Sequence, residues 1–308
     1  MEKYRKFADP GTGVNPFLPV HLATPRLETR IGRISRSLIL SILAIARIPL
    51  LMVWIILLGL SDLLFMVPII SSLFITPILR PVVCWMGLVL LGLVVNPSMR
   101  LEDFRRLRVK RPVHESYVSG HLTFSPYYGF IDILVHATVT KPSAFALKSR
   151  SDSWTVYRSV LLALFSSRFG ATSLNSTAVP KLPQHSLVFL HSVPSNGLGL
   201  LKLDPAPLPQ LAKDKPFQVT KINYYSGSFA PHHLVGSFMS HVFSLLLKNG
   251  LTTVSVVSLP EPITETNNVA VMLSRLSEPA PETQVTEESY HEFVDYWNKT
   301  QDISYVRT

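Results

Sequence analysis

The sequence predicts an α/β layer standing behind an N-terminal helical membrane hairpin. Three observations carry this. Ser37 to Val95 holds only three charged residues, Arg47, Asp62 and Arg80. From Pro112 to Leu259 short apolar runs alternate with helical stretches, the pattern of an α/β layer. Basic residues crowd both flanks of the apolar stretch: Arg26, Arg30, Arg33 and Arg36 before it, and Arg100, Arg105, Arg106, Arg108, Lys110 and Arg111 after it. Clusters so placed face the anionic cytoplasmic leaflet.

Composition agrees. Of the 308 residues, 47% are hydrophobic and 16% charged, a balance shifted toward membrane proteins. The net charge of +9 is not a nucleic-acid stripe, because the basic residues bracket the apolar stretch. The one cysteine, Cys84, rules out an intrachain disulfide. Residues 1–25 carry five charged side chains, Glu2, Lys3, Arg5, Lys6 and Asp9, and no apolar h-region, unlike a signal peptide. Asn175-Ser176-Thr177 and Asn298-Lys299-Thr300 match the glycosylation sequon, which a cytosolic face makes irrelevant. His232, His233 and His241 have no carboxylate or cysteine at ligand spacing, so no metal is expected. There is no Walker-type or dinucleotide loop.

Taken in order, residues 1–36 read as an irregular cytosolic arm punctuated by Gly11-Thr12-Gly13 and Asn15-Pro16-Phe17-Leu18-Pro19. Residues 37–95 are the anchor. Leu38 to Leu60 is long enough to span a bilayer, which needs about 20 apolar residues, with interruptions expected at Arg47 and Pro49. Pro68, Pro77 and Pro81 split the rest into shorter pieces, and the two basic flanks predict two crossings or a hairpin dipping into one leaflet. Residues 96–277 form the α/β unit. Strands are expected over Ser116–Thr123, Ala144–Leu147, Ser186–His191, Phe217–Tyr224 and Thr252–Leu259, with helices over Ile131–Thr138, Thr155–Phe169 and Val235–Lys248. Residues 278–308 are a linker and an amphipathic helix, in which Tyr290, Phe293, Val294 and Trp297 recur at i, i+3, i+4 and i+7.

The chemistry-bearing stretch is Tyr117 to Val135. His121 stands at the expected strand end and Asp132 at the start of the next element, a base and the carboxylate that orients it. A second polar stretch, Leu190 to Lys202, carries Ser195-Asn196-Gly197 and Gly199-Leu200-Leu201-Lys202.

This order of parts resembles the glycerolipid acyltransferases, the lysophosphatidic acid:acyl-CoA acyltransferase family. The hairpin, basic exit, polar turn after a strand and later Asn-Gly loop carry the likeness. Met1-Glu2-Lys3-Tyr4 with Gly11-Thr12-Gly13 and Pro16-Phe17-Leu18-Pro19 is similar to its fungal lipid-droplet branch. The family motif is a His, four residues, then an Asp; the His takes the proton of a glycerol hydroxyl and the Asp holds the imidazole. Here the motif is broken. Anchoring on Ser125-Pro126 puts Thr123 and Tyr128 at the two positions. Anchoring on Asp132 leaves Tyr127, Thr123 or His121 for the His, of which only His121 is a base.

The family's later Glu-Gly-Thr motif falls on His191-Ser192-Val193. The resemblance implies a substrate phosphate bound by Ser195, Asn196, Gly197 and Lys202, with Lys148 and Arg150 in the region that often holds charge for phosphate or CoA. It also implies acyl-CoA as co-substrate without a further cofactor, lysophosphatidic acid or a related lysolipid as acceptor, and phosphatidic acid as product. The setting is the cytosolic face of the endoplasmic reticulum or lipid droplets. The two broken motifs support an alternative: a catalytically inactive acyltransferase fold acting as a membrane adaptor in lipid homeostasis or vacuolar trafficking.

Overall fold

A computed structural model of the chain describes residues 2–19, 30–66, 76–96, 100–101, 122–149, 153–169, 180–183, 185–212, 216–225, 231–248, 252–258, 269–276 and 280–305. A 3-10 turn, Glu2–Phe7, precedes helix α1, Arg30–Met66, and helix α2, Thr76–Leu90. Strands β1, Leu93–Val95, and β2, Arg100–Leu101, follow. Then come β3 (Leu122–Ser125), α3 (Ile131–Val139), β4 (Ala144–Lys148), β5 (Trp154–Tyr157), α4 (Val160–Phe169) and β6 (Ser186–Phe189). The chain continues through α5 (Leu208–Ala212), β7 (Phe217–Tyr225), α6 (Phe238–Lys248), β8 (Thr252–Ser258), α7 (Val269–Arg275) and α8 (Glu287–Tyr305).

The strands form one mixed sheet in the order β1-β8-β7-β3-β6-β4-β5, with β2 continuing along the edge of β8. Central β3 runs parallel to β6 and to β7, so three strands present their C-terminal ends on one side. β7 and β8 are antiparallel, as are β4 and β5. The alternation of side chains along each strand sorts them onto two faces. Phe145, Leu147, Leu187 and Phe189 pack with α1, α2, α3, α4 and α6. Ala146, Val188, Leu122 and Phe124 pack with α5 and α7 on the other face. A third cluster joins Tyr4, Phe7 and Phe17 to Tyr290, Phe293, Tyr296 and Trp297 of α8.

Several sequence expectations are corrected. α1 begins at Arg30, inside the expected arm, and runs through Pro49 without a break. A proline removes one helical donor, and Trp54 and Arg47 hold the helix on either side through bonds to Val83 and Leu246 carbonyls, 2.7 and 3.4 Å. Pro77 falls in the first turn of α2, where the missing N–H has no partner to lose, and Pro81 lies within the same helix. Leu93–Val95, assigned to the anchor, is an edge strand paired with Thr252–Val254. The first residues of the helix expected from Thr155 belong instead to a strand, Trp154–Tyr157; its β-branched and aromatic residues pair with Phe145–Lys148. The anchor shares one core with the sheet.

The three charges of the apolar stretch have all found partners in the α/β layer. Asp62 lies 3.7 Å from Arg80, with both side chains nearly fully buried. Its Oδ2 accepts the Ser159 hydroxyl at 2.7 Å and the Leu161 N–H at 2.8 Å, so α1 caps the start of α4. Arg80 donates to the carbonyls of Pro142 and Arg158, 3.4 and 2.8 Å. Ala44–Met66 is long and apolar enough to cross a membrane, and only 22% of its most apolar window is buried, unlike the core helix of a soluble protein.

Candidate functional site

Ligands of α/β sheets sit outside the C-terminal ends of parallel strands. Here the chain leaving β3 enters the turn Pro126–Phe130 and then α3; the chain leaving β6 enters residues 190–202; and the end of β7 holds Tyr224. The turn after β3 and the end of β7 meet at Asp132, which is 1% exposed. Its Oδ2 accepts the N–H groups of Tyr128 and Gly129, 2.6 and 3.1 Å. Its Oδ1 accepts the hydroxyl of Tyr224. Burial raises the carboxyl to about 7 against the pull of these three donors.

His232 completes the corner. Its ring meets Tyr224 edge-on at 4.8 Å between centroids and Tyr128 at 5.7 Å. Its Nδ1 is shielded from solvent and has no hydrogen-bond partner among the described residues. Burial, with a smaller contribution from His241, depresses this imidazole to about 3, so it is neutral at pH 7. Gly197 adopts a left-handed conformation, φ 74°, which a glycine takes without strain. A Cβ there would stand 3.7 Å from the Tyr128 ring and 3.9 Å from His232 Nε2, so the Asn-Gly turn abuts the same corner.

Of the site residues expected from the sequence, Asp132 and Gly197 are brought together through Tyr128. His121 lies outside the described residues. β3 begins at Leu122, whereas the turn to Asp132 leaves from its other end, at Ser125. Ser195 is buried and donates its N–H to the Tyr127 carbonyl at 3.2 Å. Asn196 faces the N-terminal arm: its N–H donates to the Pro16 carbonyl at 2.7 Å, and its Nδ2 to those of Asn15 and Leu18, 2.8 and 3.0 Å. Two of the N–H groups expected to cradle a phosphate are therefore already taken. Lys202 is exposed, with its backbone N–H on the Val285 carbonyl at 3.0 Å. Lys148 pairs with Glu287 at 3.5 Å, and Arg150 lies outside the described residues.

Two further polar groups are inward and satisfied. His136 Nε2 and the Ser125 hydroxyl are 3.0 Å apart, and neither side chain reaches solvent. Burial lowers His136 to about 3. Glu287, from the first turn of α8, accepts the Ser192 hydroxyl at 2.6 Å beside buried His191, which burial lowers to about 4. The sequence reading named Tyr128 only as an alternative at the Asp position, and missed Tyr224, His232 and Glu287 as members of these clusters. Among the described residues no group of His, Cys, Asp and Glu is arranged to hold a metal ion.

Among the apolar helices lies a cavity of about 400 Å3 lined by Met52 and Ile55 of α1, Leu134 of α3, Phe165 of α4 and Met239 and Phe243 of α6, with Phe130 just before α3. Phe130 connects the cavity to the corner: it follows Tyr128-Gly129 and stacks edge-on against Phe238 at 5.0 Å. The geometry defines an α/β protein with a buried carboxyl–tyrosine–imidazole corner, linked through Phe130 to an apolar cavity. Comparison with protein families, characterised proteins and solved structures finds no match.

Proposed function

We propose that the chain works on membrane lipids as an acyl-CoA-dependent acyltransferase, acylating lysophosphatidic acid or a related lysolipid to phosphatidic acid at the cytosolic face of the endoplasmic reticulum or lipid droplets. The observation that supports it is the juxtaposition of the Asp132–Tyr224–His232 corner, at the C-terminal ends of β3 and β7, with a wholly apolar cavity. In the reaction a histidine accepts the proton of the lysolipid hydroxyl while that oxygen attacks the thioester carbonyl. The C–S bond breaks, and coenzyme A leaves as a thiolate that regains the proton from the imidazolium. His121 is the base suggested by the sequence motif; His232 is the described imidazole packed on Tyr224, whose hydroxyl bonds Asp132.

A second reading, an inactive acyltransferase-type adaptor, is favoured by the occupied groups. Both Asp132 oxygens and the N–H groups of Ser195 and Asn196 are committed internally. The test is labelled oleoyl-CoA with lysophosphatidic acid on membranes carrying wild type, His121→Ala or His232→Ala. Labelled phosphatidic acid above empty membranes, lost by about 100-fold or more in one variant, identifies the enzyme and its base. No product from wild type supports the adaptor; equal product from all three removes both histidines from the mechanism.

A further inference from the structure

We infer that α1, α4 and α6 form one membrane-contact face, which lies along a single leaflet with α1 in its plane and receives a bilayer phospholipid acyl chain in the cavity between them. The inference holds for either functional reading, because it rests on the shape of the molecule and not on catalysis. Along α1 the buried or half-buried positions form a stripe, Ser41, Ala44, Arg47, Leu51, Trp54 and Leu58-Gly59, which widens at its end to Ser61-Asp62 and Leu64-Phe65. The remaining apolar side chains of this part of α1 are exposed, among them Ile42 at 67%, Val53 at 54% and Leu63 at 61%.

The stripe is bound to the α/β layer at both ends. Arg47 bonds the Leu246 carbonyl of α6, and Asp62 bonds Ser159 and the Leu161 N–H at the start of α4. Fifteen residues separate Arg47 from Asp62, about 22 Å of helix at 1.5 Å per residue. The hydrocarbon core of a bilayer is about 30 Å thick. An upright α1 would therefore carry the flank of the α/β layer through most of the membrane. An in-plane α1 leaves the sheet outside and immerses only the outer surface.

That surface extends beyond α1. Phe165 of α4 is 51% exposed and Met239 of α6 is 72% exposed, and both line the cavity with Met52 and Ile55 of α1. Every residue lining the cavity is apolar. Continuity with the apolar helix selects its occupant: a surface that shares residues with α1 meets the medium that α1 meets.

The experiment uses the full chain carrying Cys84→Ser, with single cysteines at Ile42, Val53, Leu63, Phe165 or Met239. Each is labelled with an environment-sensitive fluorophore in phosphatidylcholine–phosphatidylserine vesicles. Quenching is compared between lipids with a shallow nitroxide, lipids with a deep nitroxide, and aqueous iodide. The expected result is one shallow-to-deep ratio at Ile42, Val53 and Leu63, with Phe165 and Met239 quenched several-fold more by nitroxide lipid than by iodide. A profile that turns deep at Val53 alone, or iodide quenching at Phe165 and Met239, overturns the inference. A photoactivatable phosphatidylcholine checks the cavity. Crosslinks to α4 and α6 are expected, and crosslinks confined to α1 and α2 would remove the acyl chain from it.

Discussion

At Asp132 a carboxyl has been withdrawn from water and surrounded by two backbone N–H groups and a phenol. Burial outweighs those donors, so its folded value rises to about 7 from the ordinary carboxyl value near 4. A raised carboxyl means that the folded state holds a proton the unfolded state has lost. Its stabilising contribution is complete below about pH 4 and disappears as the pH rises through about 7. Asp132→Asn keeps the shape and an acceptor oxygen without the titration. Relative to this variant, wild type should lose melting temperature steadily between pH 4 and 7, as measured by thermal unfolding in one detergent. His136 has the opposite sign. Its depressed value leaves the folded state without a proton that the unfolded state binds below about 6.5, so stability falls as the pH drops from there toward 3. His136→Gln should flatten that acid limb, whatever it costs at pH 7.

At the scale of elements, the joint between the apolar helices and the sheet is the buried Asp62–Arg80 pair with its ring of carbonyl and hydroxyl partners. Removing one member strands the other. Asp62→Ala should cost about 3–5 kcal/mol, while the double replacement Asp62→Leu with Arg80→Leu should recover most of the loss, both read from denaturant unfolding. The close fit of α1 on α2 depends on Gly87, where a Cβ would fall 2.3 Å from the Trp54 ring. A second joint ties the arm to the loop after β6 through Asn196. Asn196→Ala leaves the aromatic cluster intact but deletes both side-chain bonds to the arm, along with the bond its Oδ1 accepts from the Leu198 N–H. Limited proteolysis should then cut the arm near residues 15–18 several-fold faster, with α8 still protected.

Across the whole molecule, the parts that repeat with a clean period are legible in the sequence. The apolar stretch, α3, α8, β4, β6, β7 and β8 fall where alternation and turn residues put them, to within a few positions. Boundaries fail where one pattern continues into another. β1 merges with the apolar run before it, and Trp-Thr-Val-Tyr of β5 reads on into α4. The site was half legible. Asp132 and Gly197 stand out as a carboxylate after a turn and an Asn-Gly pair. Nothing in the spacing joins Asp132 to Tyr224, 92 residues on, because only the parallel pairing of β3 and β7 brings those positions to one end of the sheet. The partners of Asp62 and Arg80 were hidden for the same reason: an ion in an apolar segment does not announce which distant loop will receive it.

The ring cluster of Tyr4, Phe7 and Phe17 on α8 has a consequence for how the protein is made. Gln284 donates its N–H to Asp9 across 275 positions of chain. At roughly 5–20 residues per second a ribosome needs on the order of 15–60 seconds to travel that distance. Throughout that interval the first segment has emerged while its aromatic partners are still untranslated. Meanwhile the greasy helices are already seeking lipid. The newborn polypeptide therefore exposes its apolar helices before its two outlying segments can zip together, and the loop holding Asn196 can meet the first segment before α8 exists.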